Sequence, residues 1–178
     1  MSYAKQTAHG PNQNRQKRNV QSMSGMDLFF VNAFVEATLE TFETMCDAKP
    51  ERSAPLKMQG CLVPTFDVFS MIGVSGGFRA TYVLTMPRDT ALKMTSAFVG
   101  EEIEELDEEA LDAIGEIINI IAGAAAGKFT GNPLNLSLPT VMLGRDLRQS
   151  AGSKSPWLIV TMKEDNWGEF QIGLSRED

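Results

Sequence analysis

The stretch DAIGEIINIIAG, residues 112–123, constrains the fold most, because it has helical spacing and is apolar around nearly its whole circumference. It lies within a helix that we predict for residues 107–129, with Asp107 as N-cap. A helix of this kind needs other elements packed around it. At roughly 100° per residue, however, one narrow stripe stays polar or small. Along that stripe lie Asp112, Glu116, Asn119 and Gly123.

The charge of the chain is unevenly distributed. Residues 1–25 carry four basic side chains and no acid, and their Gln, Asn, Ser and Gly content predicts a disordered basic tail. Because the whole chain has a net charge of −7, residues 26–178 carry −11. We interpret residues 26–178 as a single domain, a length that buries a sizeable core. Such an acidic body is unsuited to nucleic acid, which requires a basic face.

The start of the chain and its apolar stretches predict a cytoplasmic protein. The first ten residues, MSYAKQTAHG, lack the apolar segment of a signal peptide. No uninterrupted apolar run reaches about 18 residues, so we expect no membrane association. A single histidine and two distant cysteines give no zinc-binding spacing, so we expect no metal site.

The remaining periodicities predict an α+β fold, an antiparallel β-sheet with long helices packed on one face. Apolar residues at helical spacing predict a first helix over residues 26–45, and Pro87 and Gly100 delimit a short one. Five stretches with β character predict strands and hairpins. These are residues 57–72, 78–86, 134–144, 156–164 and 168–175.

The sequence GVSGG, residues 73–77, matches the G-x-S-x-G pattern of serine hydrolases. That motif needs a strand-to-helix turn and a histidine later in the chain. Here the surroundings predict a hairpin, and His9 precedes the motif. We therefore interpret Ser75 as a turn residue.

Glu116 and Asn119 are the candidate site. Residues three apart on a helix project side by side, roughly 5 to 6 Å apart at Cβ. Asparagine is unfavourable inside a helix, and each glycine there costs about 1 kcal/mol relative to alanine. Gly115, Gly123 and Gly127 continue the row of Asn119, which suggests that another backbone approaches closely. Alternatively, the pair bonds to a neighbouring loop and the glycines admit a strand of the chain's own sheet.

The segment GEIINIIAG, within DAIGEIINIIAGAAAGKF, resembles the E-x-x-N signature of the CheC/CheX/FliY family of response-regulator phosphatases. LSLPTVMLG, which contains Pro139, and GGFRATYVLTM resemble strands of the same family. The likeness covers roughly residues 27–174. CheC-like members carry two signatures, but the first helix here has Asn32 and Glu36 in reverse order, four apart. A single site is the CheX-like arrangement.

This resemblance implies a CheC-like fold and a phosphatase that hydrolyses the aspartyl phosphate of a CheY-like receiver domain. It implies that Asn119 orients the attacking water and that Glu116 pairs with the receiver's active-site lysine. Asp112, Gly115, Gly123 and Gly127 would contact the receiver. The Mg²⁺ would belong to the receiver, so the chain needs no cofactor of its own.

The family pattern also implies a homodimer joined through β-sheet edges. An alternative function is a binding module with the same fold, a scaffold in chemotaxis or flagellar-switch signalling that reads the receiver without hydrolysing it. The presence of both Glu116 and Asn119 favours the enzyme.

Overall fold

A computed structural model of the chain describes residues 28–63, 65–131, 133–144 and 155–177. These residues form three helices and one eight-stranded sheet. The helices are α1 (Leu28–Cys46), α2 (Arg88–Val99) and α3 (Glu108–Gly127). The strands are β1 (Glu51–Arg52), β2 (Lys57–Gln59), β3 (Val68–Ser75), β4 (Arg79–Met86), β5 (Asn135–Leu136), β6 (Thr140–Leu143), β7 (Trp157–Glu164) and β8 (Gly168–Glu177). The predicted tail, residues 1–25, lies outside the described residues.

Four long strands make the centre of the sheet, in the order β7-β8-β4-β3, and every pairing is antiparallel. The short strands β1 and β2 pair with β7 on one side. The short strands β5 and β6 pair with β3 on the other. Each side of the sheet therefore ends in strands of two to four residues, which offer little edge for further pairing.

The helices cover one face of this sheet, which confirms the α+β prediction. Side chains of the strands alternate between the two faces, as the pleat requires. The face toward the helices holds the main core, which includes the fully buried residues Phe34, Ile72, Tyr82, Leu84, Ile118 and Phe170. The other face carries a smaller apolar cluster made by Leu62, Phe69, Val83, Trp157 and Ile159.

The predicted single strand over residues 57–72 is wrong, because this stretch forms two strands on opposite sides of the sheet. β2 pairs with β7, whereas β3 pairs with β4. The apolar residues between them made the pattern look continuous. In the structure Leu62 is instead buried in the cluster on the outer face, where a Cβ on Gly173 would lie 3.4 Å from it. The chain thus crosses the sheet between β2 and β3.

Both predicted hairpins are confirmed. Ser75 ends β3 and Gly76, with φ of 147°, begins the turn to β4, so Ser75 lies in a hairpin and not at a strand-to-helix elbow. The turn between β7 and β8 is held by the Glu164 carboxylate, which accepts hydrogen bonds from the backbone N–H groups of Asn166 and Trp167. The serine-hydrolase geometry is therefore not formed.

The helix boundaries follow their end signals. Helix α2 ends at Val99. The next residue, Gly100, adopts a φ of 81° and donates a hydrogen bond from its backbone N–H to the Ser96 carbonyl. Within the described part of the chain, α3 is the one helix that is long and apolar enough to cross a membrane. Buried core helices of globular proteins meet the same criterion. Its inner side packs on α1, α2 and the sheet. The buried residues of α3 are Ala110, Ile114, Gly115, Ile117, Ile118, Ile121, Ala122 and Ala125.

Candidate functional site

Helix α3 is fixed at both ends. At its start the Asp107 carboxylate accepts the Ala110 N–H at 2.9 Å, as an N-cap does. At its end Lys128 donates to Glu40 at 2.9 Å and to Glu36 at 3.3 Å, both on α1. The hydrogen bond with Glu40 is the main cause that raises the pKa of Lys128 above its usual value. The helix is thus held in place, independently of any partner.

The polar stripe of α3 forms an exposed ridge. Asp112, Glu116, Asn119 and Gly123 are all exposed, whereas their helical neighbours are mostly buried. Neither Glu116 nor Asn119 makes a side-chain hydrogen bond or ion pair with another described residue. Among the described residues, therefore, no neighbouring loop bonds to this pair. Both side chains are available to another molecule.

The three glycines of α3 differ in their surroundings. Gly123 and Gly127 are exposed, and a Cβ added at either would meet nothing within 4 Å. Gly115 is buried, and a Cβ there would lie 3.7 Å from Pro139 Cγ and from Val141 Cγ2. These are ordinary van der Waals distances, so the structure does not require glycine here, and the contact of Gly115 with a partner stays a prediction.

A groove of about 570 Å³ runs beside the ridge. One wall carries the acids Glu108, Asp112 and Glu116 together with Asn119. The opposite wall is apolar and consists of Leu138, Pro139 and Val141. An acidic wall that faces an apolar one suits a protein surface with a cationic group next to apolar side chains.

The apolar wall arises from a β-bulge, which the sequence pattern does not predict. Residues 134–144 were predicted as one strand, but they form β5 and β6 with different registers on β3. Between the two registers, Ile72 and Gly73 of β3 face three residues of the opposite strand, Ser137, Leu138 and Pro139. One extra residue in one strand is a β-bulge, a feature over-represented next to active sites.

The bulge turns Leu138 out of the sheet. Leu134 and Leu136 pack against the main core, and an unbroken alternation would place Leu138 on the same face. Instead Leu138 is 88% exposed, while Val141 takes over the core-facing position. Pro139 was the available signal, because a proline has no N–H to donate within a sheet.

Helix α1 offers no equivalent of this site. Asn32 and Glu36 are exposed, but Glu36 binds Lys128. The reversed order of Asn32 and Glu36 predicted no second signature on α1. In the structure Glu36 forms an ion pair with Lys128 within the chain. In the described segments, moreover, no group of three or more His, Cys, Asp or Glu side chains is arranged to hold a metal ion.

Comparison with known proteins places the chain within one family. Residues 68–163, which include all of α3, match the family described as chemotaxis phosphatase CheX. The chain is 35% identical over 126 residues to the CheY-P phosphatase CheX of Thermotoga maritima, covering 69% of this chain and 81% of that protein.

Solved structures share the fold. The chemotaxis protein CheX of Desulfovibrio desulfuricans aligns with a TM-score of 0.74 and 25% identity, over 83% of this chain and 99% of its own. A complex of CheX with CheY, BeF3 and Mg²⁺ from Borrelia burgdorferi aligns with a TM-score of 0.68 and 19% identity. That alignment covers 84% of this chain and 98% of the solved one. The predicted CheC-like fold is thus confirmed.

Proposed function

The chain belongs to the CheX family of chemotaxis phosphatases, and from this membership we propose that it hydrolyses the aspartyl phosphate of a CheY-type response regulator. The relative from Thermotoga maritima is a CheY-P phosphatase, and this chain covers 81% of its length. In the reaction a water oxygen attacks phosphorus, the bond from phosphorus to the aspartyl oxygen breaks, and the products are the aspartate carboxylate and inorganic phosphate.

The observation that supports this function is the exposed pair Glu116 and Asn119 on a helix that is otherwise mostly buried. We propose that the Asn119 carboxamide orients the attacking water. A carboxamide both donates and accepts hydrogen bonds, so it holds a water in a defined direction. Catalysis of phosphoryl transfer depends chiefly on such positioning and on electrostatic stabilisation.

Glu116 has a different role in this proposal, because it docks the receiver. Its carboxylate lies one helical turn before Asn119 on the acidic wall of the groove and pairs with the receiver's active-site lysine. The Mg²⁺ belongs to the receiver and neutralises charge on the phosphoryl group. This chain supplies the carboxylate, the carboxamide and the exposed ridge that carries both.

A turnover measurement tests the proposed phosphatase function. A CheY-type receiver from the same genome would be phosphorylated with acetyl phosphate, freed of the donor, and mixed with a substoichiometric amount of this protein. Loss of the phosphoryl group faster than spontaneous hydrolysis, with many receivers dephosphorylated per chain, is expected. Binding of the receiver without faster loss of its phosphoryl group would instead favour the scaffold hypothesis. If the protein neither bound the receiver nor accelerated its dephosphorylation, the proposal would be overturned.

Gly123→Leu tests whether the ridge is the contact surface. Gly123 is exposed and lies four residues after Asn119, and a Cβ there meets nothing within 4 Å, so the position accepts a side chain. Replacing a glycine inside a helix stabilises the fold by roughly 0.5 to 1 kcal/mol. We therefore expect a slightly higher melting temperature together with weaker receiver binding. Gly123→Ala is the control, since it stabilises similarly but adds little bulk. Equal binding by the leucine variant would argue against contact at this position.

The homodimer joined through sheet edges and the cytoplasmic location stay predictions. The two sides of the sheet at which a dimer would form are those that end in β1 and β2 and in β5 and β6. The short length of these strands leaves room for only a few additional backbone hydrogen bonds.

A further inference from the structure

Leu138 is the most exposed of the large apolar side chains in the described part of the chain, at 88%. A leucine this exposed contributes little burial to the fold, whereas docking against another protein would remove most of its apolar surface from water. A single exposed leucine needs no explanation by itself. Its position and its support, however, are both specific.

The bulge holds Leu138 rigidly. The Ser137 N–H donates to the Gly73 carbonyl at 2.9 Å, and the Gly73 N–H donates to Ser137 Oγ at 2.9 Å. Ser137 Oγ in turn donates to the Leu138 carbonyl at 2.9 Å. On the other side, Pro139 lies against Gly115 of α3. Leu138 is therefore presented by a fixed backbone.

Leu138 also shares its groove with the proposed site. It forms part of the wall that faces Glu116 and Asn119, and the acids Glu108 and Asp112 continue the opposite wall. A partner that places a cation against Glu116 brings its neighbouring surface to the groove that this leucine lines. The partner surface that fits has an apolar depression beside its cationic group.

We propose that Leu138 is an apolar anchor that inserts into the receiver next to its phosphorylated aspartate and so supplies docking affinity. The inference rests on the proposed function, because the same receiver is the occupant. Leu138 carries no group that acts on water or phosphorus. It is a docking residue, and its effect falls on affinity and not on the rate within the complex.

The test compares Leu138→Ala with Leu143→Ala. Leu143 is the matched control, because it is an exposed leucine in the same strand pair, on β6, but outside the groove. Binding would be measured with the receiver charged with BeF3 and Mg²⁺, and turnover with the phosphorylated receiver across a range of concentrations. We expect Leu138→Ala to weaken binding about tenfold and to raise KM similarly, with kcat nearly unchanged. Leu143→Ala should match the unsubstituted chain in both.

The outcomes separate this inference from the function itself. If the unsubstituted chain dephosphorylates the receiver and Leu138→Ala binds equally well, the anchor is refuted and the phosphatase stands. A fall in kcat at unchanged KM would also refute it, because that result assigns Leu138 to the chemical step. If the unsubstituted chain neither binds nor dephosphorylates the receiver, both proposals fall. Unchanged thermal unfolding of Leu138→Ala would show that the variant is folded.

Discussion

Asn119→Ala is expected to lower kcat for receiver dephosphorylation by at least about 100-fold, since losing one positioned hydrogen-bonding group typically costs 10² to 10³ in rate. The proposed role of Asn119 is to hold the attacking water in line with the bond that breaks. Alanine has no polar atom to replace the carboxamide. Phosphoryl loss would be followed at saturating receiver, so that weaker docking cannot mimic slower chemistry.

The fold should survive this change. Asn119 is exposed, and alanine is the better helix former by several tenths of a kcal/mol. Thermal unfolding should therefore shift little or slightly upward, and binding of the receiver charged with BeF3 should persist. Asn32→Ala on α1 is the matched control, an exposed asparagine on a helix without the site. If Asn119→Ala left kcat unchanged, Asn119 would not be the residue that positions the attacking water.

Glu116→Lys is expected to weaken receiver binding by roughly 30-fold or more. Removing one partner of a close charge pair in an interface costs about 2 to 5 kcal/mol, and a lysine adds repulsion toward the receiver's own lysine. The rate at saturating receiver should fall less than the affinity. Titration of the receiver at two salt concentrations measures this, because the electrostatic part of binding weakens with ionic strength.

Stability should not explain that loss. Asp112 lies four residues before Glu116, so the substitution replaces a like-charge pair with an opposite-charge pair worth a few tenths of a kcal/mol. Glu109→Lys is the control, because it makes the same charge change on an exposed position of α3 outside the groove. Equal loss of binding in both variants would point to overall charge, and no loss in Glu116→Lys would remove its docking role.

The elements whose signals are local were predictable from the sequence. The N-cap at Asp107, the stop at Gly100 and the hairpin turns each depend on a few neighbouring residues, and the structure has them as predicted. The position of Glu116 and Asn119 on one stripe also followed from helical periodicity, whereas their exposure did not, because a loop bonded to the pair was equally compatible with the sequence.

Features that depend on pairing were not predictable in this way. The separation of β2 from β3 requires knowledge that each has a different partner, and both are compatible with one alternating pattern. The bulge at residues 137–139 likewise depends on the different registers with which β5 and β6 pair with β3. The burial of Gly115 follows from that bulge, because Pro139 then lies over it.

The contact between Gly115 and Pro139 has a thermodynamic consequence for recognition. It brings the helix that carries the polar pair next to the segment that carries the leucine, so both walls of the groove are formed within one chain before any encounter. Ordering of interface side chains and loops is one of the main entropic penalties of association. Here that penalty would fall chiefly on the visiting protein, which implies that loosening the segment around Pro139 would weaken association even if every other side chain of the groove stayed in place.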